Sequence, residues 1–144
     1  MSKVDAIKRV EFTKEAQELL IELYKRNPAG LMFHQSGGCC DGSAPMCYPA
    51  GEFRVGGSDV LVETVEVEGI EQPIPVYMSL EQFELWRHTH LTIDAVPGRG
   101  SGFSLESPTG KRFLTRSRLF TDEEYEIMKD QPIFLGSGAP AKLL

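Results

Sequence analysis

The chain is built around the stretch His34-Gln-Ser-Gly-Gly-Cys-Cys-Asp-Gly-Ser-Ala-Pro-Met-Cys-Tyr48. This stretch contains all three cysteines of the protein, Cys39, Cys40 and Cys47, and one of its three histidines. Because its glycines and Pro45 interrupt regular structure, the sequence predicts a loop over residues 34–48. Functional side chains concentrate on loops that a rigid scaffold holds in place, so we expect the chemistry of the protein to lie here.

The composition of the whole chain indicates one domain. The protein has 144 residues, of which 41% are hydrophobic, enough for a single packed core. The net charge of −6, from 15 basic and 21 acidic residues, argues against general nucleic-acid binding, which depends on lysine and arginine. It also provides no attraction to an anionic membrane. We expect a single domain over 1–144, with a lead-in at 1–12 and a flexible tail at 136–144.

The N-terminal residues do not resemble a secretory signal, because charged residues interrupt any apolar run there. No apolar run approaches the roughly 18 residues that a membrane-spanning helix needs. We therefore expect a cytosolic protein, a compartment in which thiols stay reduced. The odd number of cysteines also leaves at least one thiol unpaired within the monomer.

The residues before the loop predict one helix and one strand. Thr13 is a typical N-cap, and Pro28 with Gly30 ends the helix. Its apolar residues recur at helical spacing and form one face, which we assign to the core: Ala16, Leu19, Leu20, Leu23 and Tyr24. The apolar run Leu-Met-Phe-His at 31–34 then predicts a buried strand that carries His34 to the start of the loop.

The residues after the loop predict short strands and two further helices. Capping boxes formed by Ser79 with Gln82 and by Thr121 with Glu124 mark the helix starts. We expect strands at 52–55, 60–65, 76–78, 90–96, 103–106 and 111–117, the last two pairing across a turn at 108–110. The fold class is therefore predicted to be α+β, a single domain with a mainly antiparallel sheet of about six short strands and about three helices.

Three thiols and an imidazole close in sequence have the chemistry of ligands for a soft or borderline metal ion. Their spacing, His-x4-Cys-Cys-x6-Cys, differs from the paired Cys-x2-Cys arrangement of common zinc sites. Zinc is the default ion, and iron or copper(I) would suit the same ligands. We expect the ligands to be Cys39, Cys40 and Cys47, completed by His34 or His88, with Asp41 as a further oxygen donor.

Two other interpretations of the cysteines stay open. In one, a cysteine is a reactive or redox thiol whose pKa is lowered by a nearby base, which is His34, His88 or His90. In the other, the cysteines are inert and pack as small hydrophobic groups, although the polar, glycine-rich setting argues against this. A disulfide between the adjacent Cys39 and Cys40 would be strained, whereas either could reach Cys47 more easily.

Two histidines outside the loop flank Thr89. In an extended segment the side chains of His88 and His90 would share one face, where they could bind a metal or act as a general base. The alternative, which we favour, is the C-terminus of a short helix, where the helix dipole favours histidine.

Basic residues offer a further candidate for ligand binding. The segment Gly98-Arg-Gly-Ser-Gly102 resembles part of a phosphate-binding loop, but it joins two predicted strands and opens no helix, so no nucleotide cofactor is expected. Arg99 fits either a plain turn, which we favour, or a small anion nest. Arg112, Arg116 and Arg118 share a strand face and could bind a carboxylate or phosphate, although pairing with surface glutamates is favoured.

The most negative part of the chain lies between Glu63 and Glu71. We assign it to a solvated strand face and a turn near Gly69. The alternative is a surface that binds another protein through its charge, which would make the chain an interaction module rather than a metal-binding protein or an enzyme.

Several motifs together resemble the bacterial family catalogued as domain of unknown function 779. The most distinctive is Phe33-His-Gln-Ser-Gly-Gly-Cys-Cys-Asp-Gly-Ser43 with Pro45-Met-Cys-Tyr-Pro49. Further matches are Trp86-Arg-His-Thr89, Val96-Pro-Gly-Arg-Gly100, Gly102-Phe-Ser-Leu-Glu106 and Arg112-Phe-Leu-Thr-Arg-Ser-Arg118. Members of this family are often encoded beside aldehyde or alcohol dehydrogenases. The resemblance implies an accessory role in that metabolism and a dehydrogenase partner, and it carries no catalytic residues with it.

The leading hypothesis is therefore a small cytosolic metal-binding protein that serves an aldehyde or alcohol dehydrogenase by metal delivery, maturation or sensing. The competing hypothesis is an enzyme or redox protein that uses a thiolate of the same loop. The small size and short strands are also compatible with a homodimer.

Overall fold

The computed structural model describes residues 8–35, 45–50, 59–98, 104–128 and 133–135 of the chain. The helices in these ranges are α1 (Lys14–Arg26), α2 (Leu80–Trp86) and α3 (Asp122–Met128). The strands are β1 (Val10–Phe12), β2 (Leu31–Gln35), β3 (Met46–Pro49), β4 (Val60–Val65), β5 (Ile74–Met78), β6 (Thr89–Pro97), β7 (Lys111–Leu119) and β8 (Phe134–Leu135). The fold is α+β, as predicted.

Helix α1 follows the predicted pattern closely. The Thr13 side chain accepts a hydrogen bond from the main-chain N–H of Ala16 at 3.1 Å, which caps the first turn. At the other end, the side chain of Asn27 donates to the Leu23 carbonyl and its main-chain N–H donates to the Tyr24 carbonyl. These bonds cap the helix after Arg26, and the last turn contains two basic residues. The predicted apolar face is buried in the core.

The N-terminal lead-in forms part of a three-stranded sheet. Strand β1 pairs in parallel with β6, with Val10 opposite Leu91, and β6 pairs with β7 along its whole length in antiparallel orientation. The order β1-β6-β7 places the first described strand beside one that lies about 80 residues later in the chain. The predicted lead-in is therefore a structural element of the fold over Val10–Phe12.

A five-stranded sheet carries the cysteine stretch, in the order β3-β2-β5-β4-β8. Strand β2 pairs with β3 in antiparallel and with β5 in parallel orientation, so the sheet is mixed. The described residues form eight strands in two mixed sheets, where the sequence predicted about six strands in one sheet. Four of the six strand pairings are antiparallel, which is broadly compatible with the predicted orientation.

The core lies where the two sheets face each other. Phe33 of the five-stranded sheet is fully buried, with its ring centroid 5.5 Å from that of Phe12 and 4.9 Å from that of Phe113. The latter two belong to the three-stranded sheet, and the contact with Phe113 is edge-to-face, a favourable geometry for aromatic rings. One residue of β2 therefore joins both layers of the domain.

Two sequence predictions about strands are wrong. The predicted loop 34–48 is too long at both ends, because Gln35 belongs to β2 and Met46–Pro49 forms β3. The predicted strand 103–106 is not a strand where the structure describes it, since residues 104–106 form a bend and turn that lead into a 3-10 helix at Ser107–Thr109. Gly110, with φ of 77°, completes the turn in the left-handed region. Strand β7 therefore pairs with β6 and not with residues 103–106.

Both predicted capping boxes mark helix starts. The N–H of Gln82 donates to the Ser79 hydroxyl at 3.2 Å, and the N–H of Glu124 donates to the Thr121 hydroxyl at 3.1 Å. The Glu124 carboxylate in turn accepts from the Thr121 N–H at 2.9 Å, which completes the reciprocal pair.

None of the helices in the described ranges combines the length and apolar composition that crossing a bilayer requires.

Candidate site at the cysteine hairpin

Strands β2 and β3 with the residues between them, 36–45, are called the cysteine hairpin below. Its register sets Phe33 opposite Cys47 and His34 opposite Met46. Directly opposite residues of an antiparallel pair project to the same face, and consecutive residues to opposite faces. Cys47 therefore faces the core with Phe33, whereas His34 projects from the other face of the five-stranded sheet.

His34 lies at the end of β2 and is held by a carboxylate. Its Nε2 atom is 3.0 Å from Oδ2 of Asp59, the residue just before β4, and the imidazole is almost completely buried. A carboxylate at this distance fixes the orientation and the tautomer of an imidazole. Both a metal-ligating histidine and a general base use this arrangement.

Cys47 has the environment of a core thiol. Its side chain has an exposed fraction of 0%, and the residue is not in a disulfide. Burial raises the pKa of the thiol well above its ordinary value, and the nearby Glu106 carboxylate raises it further. The thiolate is therefore disfavoured, so Cys47 is a poor nucleophile in this environment.

The main chain of Cys47 is joined to a buried polar cluster. Its N–H donates to the Ser104 hydroxyl at 2.8 Å, and its carbonyl accepts from the Leu105 N–H at 3.0 Å. Ser104 donates onward to the carboxylate of Glu106, whose exposed fraction is 1%. These bonds cover the outer edge of β3 at Cys47 with residues 104 and 105.

Glu106 is a buried carboxyl group whose pKa is raised above its ordinary value by burial. Hydrogen bonds from Ser104 and from the main-chain N–H groups of Glu106 and Phe113 oppose that shift. These donors join the 104–110 turn to the start of β7. On the same interior side, the Thr115 hydroxyl donates to the Gln35 side-chain oxygen at 3.4 Å.

Not all of the predicted metal ligands lie in the described residues. Cys39, Cys40 and Asp41 lie outside them, as does Arg99. Within the described ranges, no three side chains of histidine, cysteine, aspartate or glutamate are grouped so that they could hold a metal ion. Because His34 and Cys47 project to opposite faces of the sheet, their side chains do not point toward one common position.

The two other histidines occupy different elements. His88 is exposed in the turn between α2 and β6, and its ring centroid is 5.6 Å from that of Tyr125 on α3. His90 lies within β6 and is buried, with Nε2 at 3.6 Å from Glu11. Burial lowers the pKa of His90, so its neutral form is favoured. The two imidazoles are not neighbours on one extended face, because only His90 is in the strand.

Two of the three candidate arginines of β7, Arg116 and Arg118, pair with acidic side chains. Arg116 Nη2 is 3.3 Å from Asp94 on β6, and Arg118 makes two hydrogen bonds to Glu124 at 2.7 and 3.0 Å. The bonds from Arg118 lower the pKa of Glu124 to about 2. These contacts of Arg116 and Arg118 are of the kind that the sequence analysis favoured, pairing with acidic surface residues.

Sequence reasoning missed Asp59, Ser104 and Glu106. Asp59 is separated from His34 by 25 residues, and Ser104 from Cys47 by 57, so no local pattern connects them. The signal that was present for Glu106 was its position in the apolar segment before Pro108, where an isolated carboxylate is unusual. The sequence analysis predicts a strand for that segment, whereas the structure has a bend and turn at residues 104–106.

Comparison with known proteins gave one match. A family model described as domain of unknown function (DUF779) matches residues 19–119, which include β2 through β7 and the whole cysteine hairpin. No curated protein and no solved structure matches the chain.

Proposed function

Since the chain belongs to the DUF779 family, we propose that it is a cytosolic metal-binding protein whose ion is held at the cysteine hairpin. The proposed ligands are Cys39 and Cys40 with His34. Zinc is the default ion, and iron or copper(I) would suit the same donors.

The observation that supports this proposal is the 3.0 Å contact between His34 and Asp59. Metal-ligating histidines are usually held by a carboxylate or carbonyl in this way, which selects one tautomer and one ring orientation. Cys39 is only five residues from His34 along the chain, so its thiol is within reach of the same point. Thiolates and an imidazole are donors that together suit zinc.

Cys47 and His88 were also predicted as ligands, and the proposal gives them lower weight. Cys47 projects into the core with Phe33 and has an exposed fraction of 0%, whereas His34 projects from the opposite face of the sheet. His88 packs against Tyr125 beside the three-stranded sheet, while His34 belongs to the five-stranded one. Separate variants of these residues test each assignment.

Elemental analysis of untagged protein purified under reducing conditions tests the proposal. We expect about one metal ion per chain, because a closed Cys/His site binds zinc tightly at neutral pH. Changing Cys39 and Cys40 together to serine is expected to remove the ion, and His34→Ala to reduce occupancy. Asp59→Asn, which alters only the orienting group, is expected to weaken metal affinity by about 10–100-fold.

The matched controls are Cys47→Ala and His88→Ala, which should retain the ion if the assignment is correct. Circular dichroism of each variant shows whether loss of metal reflects loss of the fold. The proposal would be excluded if the unsubstituted protein carried no metal after purification and also bound none on reconstitution. Loss of metal in Cys47→Ala with a retained fold would restore Cys47 to the ligand set.

A second candidate function uses a thiolate of the hairpin as nucleophile or redox group, with His34 as its base. The Asp59 contact also favours this function, since an imidazole held in a fixed orientation can accept a proton from a thiol. In metal-free protein we expect Cys47 to be alkylated much more slowly than Cys39 or Cys40, because its thiol is buried and its pKa raised. Thiol labelling followed by peptide mass mapping measures all three rates.

Labelling of Cys39 or Cys40 well above the rate of a free thiol, and slowed by His34→Ala, would favour the thiol enzyme. Uniform, ordinary rates at both positions would exclude it. We further propose that either activity is accessory to an aldehyde or alcohol dehydrogenase. A pull-down that uses the hairpin variants as controls tests this proposal. No nucleotide cofactor is proposed.

A further inference from the structure

A cleft unrelated to the cysteine hairpin lies between the two sheets at their edges. It has a volume of about 700 Å³ and is bounded by β1 on one side and by the end of β4 with the following connection on the other. Volumes of this size are typical of ligand-binding clefts. The residues that line it are Lys8, Val10, Glu11, Phe12, Gln17, Thr64, Val65, Glu66, Val67 and Pro73.

One wall of the cleft is the open edge of a strand. Among the described residues, β1 pairs only with β6, at the edge of the three-stranded sheet. The Leu91 N–H donates to the Arg9 carbonyl, and the Thr13 N–H donates to the Ile93 carbonyl. The main-chain groups at both ends of β1 that bond to β6 therefore belong to odd-numbered residues. Main-chain groups of alternate residues point to opposite edges, so those of Val10 and Phe12 point away from β6. The Phe12 carbonyl already accepts from Gln17 at 3.0 Å.

The floor of the cleft is apolar. Val10, Phe12 and Val67 are buried members of the core, and Val65 packs against it. Val10 has an exposed fraction of 0%, so the apolar surface of the cleft comes mainly from the half-buried Val65, with small contributions from Phe12 and Val67 at 7% and 4%. A bound segment could therefore place apolar side chains on this floor while its main chain follows the strand edge, which is how extended peptides bind sheet edges.

The rim of the cleft is acidic. Glu11 and Glu66 line it, and a second depression of about 560 Å³ continues from it along Glu66, Glu68 and Glu71. These four glutamates are exposed, and Lys8 is the one basic residue among the described residues that line the two depressions. An occupant with positive charges beside its apolar side chains would be complementary to this rim.

We propose that this cleft binds an extended, basic peptide segment of a partner protein, which adds as a strand to the free edge of β1. Alternate side chains of the segment are apolar and rest on Phe12, Val65 and Val67. The intervening side chains are lysine or arginine and face the glutamates of the rim. The inference is independent of the metal site, because no residue of the cleft belongs to the cysteine hairpin.

The probe is a dye-labelled heptapeptide of alternating valine and lysine, blocked at both ends, and binding is followed by fluorescence anisotropy. A short edge and a small interface predict a dissociation constant of about 10–100 µM. The probe is also prepared with N-methyl groups on alternate residues in both registers. Methylation of the amides that face β1 should abolish binding, whereas methylation of the other set should not.

The charge variant is Glu66→Lys with Glu68→Lys, two exposed positions that should leave the fold intact. Its matched control is Glu22→Lys with Glu84→Lys, which changes net charge equally on exposed helix faces. We expect the first to weaken binding by about 10-fold or more and the second to change it by about 2-fold or less. Amide shifts of Val10 and Phe12 in NMR spectra should move on titration.

Three outcomes would overturn the proposal. One is the absence of binding to folded protein at millimolar probe. Another is equal weakening in both charge variants, which would indicate unspecific attraction to a negatively charged protein. The third is binding that neither N-methylated probe disturbs and that hexylammonium displaces, which would make the cleft a site for an alkyl ammonium ion. Binding that follows the methylation register and the rim charges would establish a peptide site.

Discussion

Replacing Phe33 by alanine is expected to lower the free energy of unfolding by about 3–5 kcal/mol. The side chain is fully buried, and its ring touches Phe12 and Phe113 at centroid distances of 5.5 and 4.9 Å. Those two rings belong to the other sheet, so truncation removes apolar contact between the two layers and not only within one. The aromatic geometry adds about 0.5–1.5 kcal/mol per pair to the area that is buried.

Urea unfolding followed by tryptophan fluorescence measures the change, since Trp86 is also a core residue. Phe33→Leu, which keeps most of the volume, should cost about half as much or less. The matched control is Leu119→Ala at a position that is 75% exposed, where a change within about 0.5 kcal/mol is expected. A loss below about 1 kcal/mol for Phe33→Ala would show that the two layers are held together elsewhere.

The position of Phe33 also explains why the cysteine hairpin can be a site. His34 follows Phe33 directly and Cys47 is opposite it, so both candidate residues are next to a fully buried side chain of the core. A predictable consequence is that changes at Phe33 disturb the orientation of His34. Metal analyses of hairpin variants should therefore be compared with a stability measurement for each variant.

Local patterns in the sequence were sufficient for the helices. The face of α1 and the caps at Thr13, Ser79 and Thr121 involve residues three or four apart, and the structure has each of them. Strand β6 was also predicted, because Leu91 and Ile93 alternate with polar residues, and the structure buries both of them.

Strand partners were less predictable because they depend on contacts between distant residues. Nothing near Val10 indicates that it pairs with Leu91, and β3 was hidden within a stretch whose glycines and Pro45 favoured a loop. For the candidate site, the sequence identified His34 and the cysteines by residue type alone. It could not identify Asp59 as the partner of His34, nor that Cys47 projects to the opposite face, because both depend on register.

Arg9 was noted in the sequence only as a charge that interrupts an apolar run, and in the structure it is buried at a junction of several elements. Its guanidinium donates to the carbonyl of Arg87 at 3.0 Å and to that of Met128 at 3.2 Å. These carbonyls lie at the C-terminal ends of α2 and α3, where main-chain acceptors have no partner within the helix. The guanidinium also lies 5.5 Å from the ring centroid of Phe83 and 5.8 Å from that of Phe120.

Changing Arg9 to alanine is therefore expected to cost about 3–5 kcal/mol, close to the loss at Phe33. Loss of the donor to the buried Met128 carbonyl costs about 1–3 kcal/mol, and loss of the donor to the partly buried Arg87 carbonyl costs less. The two aromatic contacts add about 0.5–2 kcal/mol. Lysine at this position keeps the charge, but its compact ammonium cannot span two carbonyls as the planar guanidinium does, so Arg9→Lys should recover less than half of the loss. The control is Arg26→Ala, which removes an exposed arginine from α1.

Hydrogen exchange separates this role from simple packing. If Arg9 holds the end of α3, the amides of that helix should exchange faster in Arg9→Ala under native conditions, while those of α1 should change only by the global loss of stability. Equal unfolding free energies for Arg9→Ala and Arg26→Ala would contradict the assignment. Uniform acceleration in both helices would mean that Arg9 supports the core as a whole, because the short helix α3 would then have other contacts that fix it.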